Sequence, residues 1–179
     1  MPRYVAFLRG INLGKRRPPM SRLKALFEDL KFADVATFIA SGNMLFSSQS
    51  SSPSRLESRI AGYLETSLGY RVDTFIRTLE EVAAISRARI FAEDGQPGIT
   101  IHVAFLQKPL PPDCARKLTA VRTAGDKFQV AGCEYYWLCR GRISDSKVWT
   151  LPEVRALKLP TATMRNLTSI RKLVAKHLR

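Results

Sequence analysis

The sequence predicts an α+β protein made of two successive sheet-and-helix units, and three observations carry that expectation. Short apolar runs alternate with stretches of helical period from residue 4 to residue 77. The hydrophilic stretch Glu93-Asp94-Gly95-Gln96-Pro97-Gly98 then interrupts the pattern. At Ile99 the succession of strand, helix and two strands begins again.

Tyr4 to Leu8 is an apolar run bounded by Arg9-Gly10, as suits a buried strand. Pro18 and Pro19 open a segment in which Leu23, Leu26, Phe27 and Leu30 fall at i, i+3, i+4 and i+7, an amphipathic helix. Val35–Ala40 and Met44–Phe46 follow as two strands joined by a turn at Ser41-Gly42-Asn43. Ser52-Pro53 supplies an N-cap and a first-turn proline, Leu56, Ile60, Leu64 and Leu68 recur every fourth residue, and Gly69 stops the helix. The next strand is Tyr70–Arg77. The resulting β-α-β-β-α-β order is the split βαβ pattern of ferredoxin-like folds.

Thr78 and Glu81 have capping-box spacing ahead of Val82 and Ile85, so an extra helix leads into the 93–98 linker. Residues 1–92 are thus expected as one α+β subdomain and 99–179 as a second, of similar βαββ type with C-terminal helices. The second should contain a strand at Ile99–Leu106, a helix from Pro111 to about Ala124, and strands at Phe128–Val130 and Glu134–Leu138. A short helix at Pro152–Leu157 and a final helix from Met164 to Leu178, capped by Thr163, complete the chain. On a helical wheel Leu167, Ile170, Val174 and Leu178 share one side, and Arg165, Lys172, Lys176 and Arg179 the other.

The formal charge is +14, the kind of field that attracts nucleic acid, anionic head groups or phosphorylated metabolites. It is uneven: residues 1–98 carry 14 Lys/Arg against 10 Asp/Glu, whereas residues 99–179 carry 15 against 5. Cys114, Cys133 and Cys139 have no close CxxC spacing, and Cys133 and Cys139 on one strand would lie about 20 Å apart, too far for a disulfide. Reduced thiols, no leader ahead of Arg3 and no apolar run of about 18 residues together lead to the expectation of a cytoplasmic protein without membrane partners.

In a split βαβ unit the first strand ends at the edge where the hairpin between the second and third strands turns. That topology brings the loop Arg9-Gly10-Ile11-Asn12-Leu13-Gly14-Lys15-Arg16-Arg17 to the turn Ser41-Gly42-Asn43. Two readings stand side by side. The loops bind an anion through backbone N–H groups and cations, or the glycines only permit turns while the cations are solvated. The Gly10–Lys15 stretch is neither a Walker loop nor a dinucleotide fingerprint: three residues separate its glycines, and Arg16 stands where Ser or Thr is required. The only histidines, His102 and His177, lack neighbouring ligands at metal spacing, so neither a metal nor another cofactor is expected. There is no GxSxG elbow, and no general base stands out.

The stretches YVAFLRGINLG, ATFIASGNMLF and TATMRNLTSIRKL, in that order and separation, resemble a bacterial family known as domain of unknown function 1697. The chain departs from the family's usual pattern at Leu13, Lys15, Met164 and Leu167. The resemblance implies an α+β fold of ferredoxin-like type and no established activity. It marks Arg9, Asn12, Gly14, Ser41, Asn43, Arg165 and Asn166 as matching the family's polar positions, and raises the expectation that Arg165-Asn166 completes one polar site with the two N-terminal loops.

Three functions compete. The first is weakly selective binding of nucleic acid or another polyanion through Lys172, Lys176 and Arg179 on the last helix. The second is an enzyme or sensor for a small phosphorylated or carboxylated ligand clamped by Arg9 and Lys15 and oriented by Asn12 and Asn43. The third is a protein-binding adaptor anchored on Trp137 and Trp149, for which an exposed tryptophan would speak.

Overall fold

The computed structural model describes residues 1–39 and 41–178; Ala40 and Arg179 lie outside the described residues. The chain divides into two units, Met1–Ile85 with Lys176–Arg179, and Ser86–Ala175. The acidic Gly/Pro stretch 93–98 falls within the second.

The first unit contains β1 (Arg3–Arg9), α1 (Met20–Asp29), β2 (Ala33–Phe38), β3 (Asn43–Ser47), α2 (Pro53–Leu68) and β4 (Asp73–Thr78), with α3 (Leu79–Arg87), whose last two residues belong to the second unit, at its end. Its four strands form one antiparallel sheet in the order β2-β3-β1-β4. The apolar faces of α1 and α2 supply Leu23, Phe27, Leu56, Ile60 and Leu64 to a core shared with Tyr4, Ala6, Met44 and Phe46. On the opposite face Val5, Phe7, Leu45 and Phe75 are equally buried. Burial on both faces explains why β1 and β3 read as continuous apolar runs without alternation.

The helix signals act as written. Ser52 Oγ accepts from Arg55 N, and Gly69 closes α2 in the left-handed region at φ 82°. Thr78 and Glu81 form the reciprocal box, Thr78 N donating to Glu81 Oε2 at 2.7 Å and Glu81 N to Thr78 Oγ1 at 3.1 Å. Glu57 is buried on α2, and its Oε1 accepts from Ile76 N at 3.0 Å. Burial raises its carboxyl above the usual value; the Ile76 bond and the charge of Arg77 oppose that rise.

The second unit contains β5 (Ile99–Phe105), α4 (Pro112–Ala120), β6 (Asp126–Ala131), β7 (Glu134–Arg140), two 3₁₀ turns at Ile143–Asp145 and Val148–Thr150, α5 (Pro152–Arg155), β8 (Thr163–Asn166) and α6 (Leu167–His177), whose last two residues, Lys176 and His177, belong to the first unit. Its sheet is again antiparallel, in the order β6-β7-β5-β8. Leu118, Phe128, Tyr135, Trp137, Val148 and Val154 lead the core on one face.

One expectation fails here. Thr163–Asn166 is a fourth strand paired with β5, from His102↔Asn166 to Phe105↔Thr163, and does not open the last helix. The free edge of β5 takes up these backbone groups in a ladder, and the helix starts at Leu167, where Asn166 Oδ1 accepts from Thr168 N at 2.8 Å. Asn166 therefore does the capping expected of Thr163. Arg165 leaves the basic side of the wheel, and the face buried by α6 is Leu167, Ile170 and Leu173, with Leu178 exposed.

Candidate functional site

β1 and β2 both run antiparallel to β3, so the Arg9–Arg17 loop and the β2–β3 turn meet at one end of the first sheet. Leu8 N donates to Gly42 O at 2.9 Å. Gly42 has φ +75°, and a Cβ built on it would lie 3.0 Å from Ile11 Cγ2 and 3.2 Å from Leu8 Cβ. This turn therefore needs glycine both for its backbone angle and for the closeness of the two loops.

Asn43 is buried, and its Nδ2 donates to Phe38 O at 3.2 Å and to Ser41 Oγ at 2.9 Å. These bonds bind the two ends of the turn to each other. In the longer loop, Arg16 N donates to Leu13 O at 2.9 Å around Gly14 at φ +58°, and the Arg16 guanidinium lies 4.7 Å from the centre of the Tyr70 ring. Arg9 is 3.6 Å from Asp73, which also accepts from Arg71. Asn12, Lys15 and Arg17 are exposed. Arg9, Asn12, Gly14, Lys15, Ser41 and Asn43 thus belong to the first unit.

Arg165 and Asn166 belong to the second unit. Arg165 donates Nη1 to Thr163 Oγ1 at 2.7 Å and to Met164 O at 3.0 Å. Desolvation pulls its guanidinium down to about 10. On α6, Lys172 and Lys176 are exposed, with Lys176 Nζ 5.8 Å from the Phe38 ring centre. Arg171, immediately before Lys172, is engaged: it donates Nε to Ser86 O at 3.1 Å and clamps Asp94 with both terminal nitrogens.

Trp137 is buried and Trp149 half-buried, with ring centres 5.3 Å apart, and both pack in the second core. His102 is also buried, within 3.2 Å of Thr100 Oγ1 and stacked obliquely on Trp137 at 5.2 Å. Burial lowers its pKa. Among the described residues, no three of His, Cys, Asp and Glu cluster as metal ligands, and no helix is long and apolar enough to cross a membrane.

Sequence reasoning passed over a hollow of about 320 Å³ in the second unit, bounded by the loop 123–126, the end of β7 and the 3₁₀ segment after it. Arg140, Arg142, Asp145 and Lys147 stand around it, with Asp126, Val148 and Leu151 also in its lining. The available signal was the stretch Arg140-Gly141-Arg142-Ile143-Ser144-Asp145-Ser146-Lys147, in which cations alternate with turn-forming and hydroxyl residues.

These features define a basic α+β protein with two four-stranded antiparallel sheets and several helices. The chain belongs to the family described as Protein of unknown function (DUF1697), whose model matches residues 1–136. The match includes both N-terminal loops and stops before the Arg165-Asn166 segment. Among solved structures, the chain is similar to the conserved bacterial protein SP0830 from Streptococcus pneumoniae. The two are 21% identical with a TM-score of 0.79, over 100% of this chain and 99% of that one, a likeness of fold. No curated protein matches the chain.

Proposed function

We propose that the protein binds polyanions, nucleic acid foremost, with weak sequence selectivity and without catalysis, and that α6 carries the contact. The observation behind this reading is that α6 contains no acidic residue, while Lys172 and Lys176 are exposed one turn apart and form no ion pair among the described residues. Unpaired cations on a helix of a +14 chain repel one another and gain by meeting phosphates. The reading includes a ferredoxin-like architecture for each unit, supported by the matching strand orders β2-β3-β1-β4 and β6-β7-β5-β8. It also includes a cytoplasmic location.

The test is fluorescence anisotropy with labelled duplex DNA, single-stranded DNA and RNA across a salt series, for the parent and for Lys172→Glu/Lys176→Glu. Loss of two phosphate contacts should flatten the log–log salt slope by about 2 for duplex DNA. A parent that binds none of the three even at low salt overturns the proposal.

A second reading, an enzyme or sensor for a small phosphorylated or carboxylated ligand, is favoured by the Leu8–Gly42 hydrogen bond, which brings the loop bearing Lys15 and Arg17 to the 41–43 turn. Its signature would be saturable phosphate binding that Lys15→Gln/Arg17→Gln weakens and Lys172→Glu/Lys176→Glu leaves unchanged.

A further inference from the structure

We propose that the hollow between the 123–126 loop and the 3₁₀ segment of the second unit binds a small organic anion, a phosphate monoester or carboxylate carried on an apolar body. The anionic group would meet Arg140, Arg142 and Lys147, and the body would lie against Ala124 and Leu151.

The walls are held in place before any ligand arrives. Asp126 is buried and accepts three hydrogen bonds: from Trp137 Nε1 at 2.8 Å, from Ser146 Oγ at 2.8 Å and from Thr123 Oγ1 at 2.5 Å. One carboxylate thereby ties β7, the 3₁₀ segment and the 121–125 loop together. Arg140 N donates to Gly125 O at 2.8 Å, which closes β7 against the same loop. A site whose frame is set in advance loses less ordering entropy on binding.

Charge selects the ligand. Three cations line the hollow against two carboxylates, Asp126 and Asp145, and the oxygens of Asp126 already serve three donors. Arg142 and Lys147 are exposed and pair with no carboxylate among the described residues. Arg140 also acts on Glu93, whose carboxyl is held low chiefly by the hydrogen bond from Lys127. A cation would therefore meet net repulsion, whereas a phosphate or carboxylate would meet charged donors suited to it. The volume of about 320 Å³ lies at the lower end of the range for small-molecule sites. This site shares no residue with the helix surface proposed above.

The hollow carries its own reporter. The chain has two tryptophans: Trp137 donates to Asp126 in the lining, and Trp149 follows Val148 and lies 5.3 Å from Trp137. Tryptophan fluorescence is titrated with phenyl phosphate, inorganic phosphate and phenol, on the parent, on Arg142→Gln/Lys147→Gln and on Lys172→Glu/Lys176→Glu. The proposal expects a saturable change with phenyl phosphate, at least about tenfold tighter than with either fragment alone. It also expects weakening of about tenfold or more in Arg142→Gln/Lys147→Gln and none in Lys172→Glu/Lys176→Glu. Both exchanged side chains are exposed and free of ion pairs among the described residues, so the variant keeps its fold. No saturable response to phenyl phosphate up to about 10 mM, or a response kept within about twofold in Arg142→Gln/Lys147→Gln, overturns the proposal.

Discussion

Replacing Arg171 by methionine tests how the last helix is held. The guanidinium makes two hydrogen bonds to Asp94 and one to Ser86 O, and its side chain is 38% exposed against 10% for Asp94. Exposed pairs contribute about 0.2–1 kcal/mol, whereas breaking a fully buried pair costs about 3–5 kcal/mol. A bidentate pair between two half-buried partners lies between, so Arg171→Met should cost about 1–3 kcal/mol. For a chain of this length that lowers Tm by about 2–12 °C. The methionine keeps most of the apolar stem, which confines the loss to the polar bonds.

The pH dependence gives the same argument a sign. The hydrogen bond from Arg171 comes first among the causes that hold the Asp94 carboxyl below its ordinary value, while burial opposes it. A carboxyl depressed in the folded state contributes stability above its unfolded pKa of about 3.9 and loses it as pH falls through the folded value. The deficit of Arg171→Met should therefore be full near neutral pH and shrink as pH falls below about 3.9. Thermal unfolding followed by circular dichroism on the parent, Arg171→Met, Asp94→Asn and the double variant gives the coupling energy, expected above about 1 kcal/mol. A deficit below about 1 kcal/mol, or one equal at neutral and acid pH, refutes the reasoning.

Gly42→Ala should destabilise the protein by about 2–4 kcal/mol, because the new methyl group meets Ile11 and Leu8 while the backbone stays at φ +75°. Chemical denaturation measures this, and a loss under about 1 kcal/mol would mean that the two loops separate easily. Glu57→Gln should raise stability near neutral pH by about 1 kcal/mol, since the amide oxygen still accepts from Ile76 N and the buried charge is gone. Because burial raises the Glu57 pKa, its unfavourable contribution grows as pH rises through the folded value; the gain should fade toward about pH 4, and a variant less stable than the parent at pH 7 contradicts the account.

Local rules made much of the chain readable. Ser52, Pro53 and Gly69 delimit α2, and Thr78 with Glu81 opens α3, because capping chemistry lies within a few residues in sequence. β8 escaped because its four residues run directly into α6, and only the ladder with β5, about sixty residues earlier, distinguishes strand from first turn. The frame of the 320 Å³ hollow escaped for a related reason: Asp126 gathers its partners from residues 123, 137 and 146, which sequence alone does not place together. The meeting of the two N-terminal loops was readable because it follows from strand order alone.

The two sheets share a detail that bears on Arg165. In the first, Arg77 on β4 stands opposite Val5 on β1; in the second, Arg165 on β8 stands opposite Val103 on β5. Each donates Nη1 to the carbonyl of the residue before it, Ile76 at 2.8 Å and Met164 at 3.0 Å. Arg77 is buried, and desolvation lowers the pKa of Arg165. An arginine recurring at the same register with the same local bond is accounted for by the architecture of the fourth strand, with no ligand required. Ligand chemistry is then better sought at cations that lack such bonds: Lys172 and Lys176 on α6, and Arg142 and Lys147 at the hollow, all exposed and unpaired among the described residues. Charge reversal at either pair should change anion binding with little change in Tm, whereas loss of Arg165 should change Tm first.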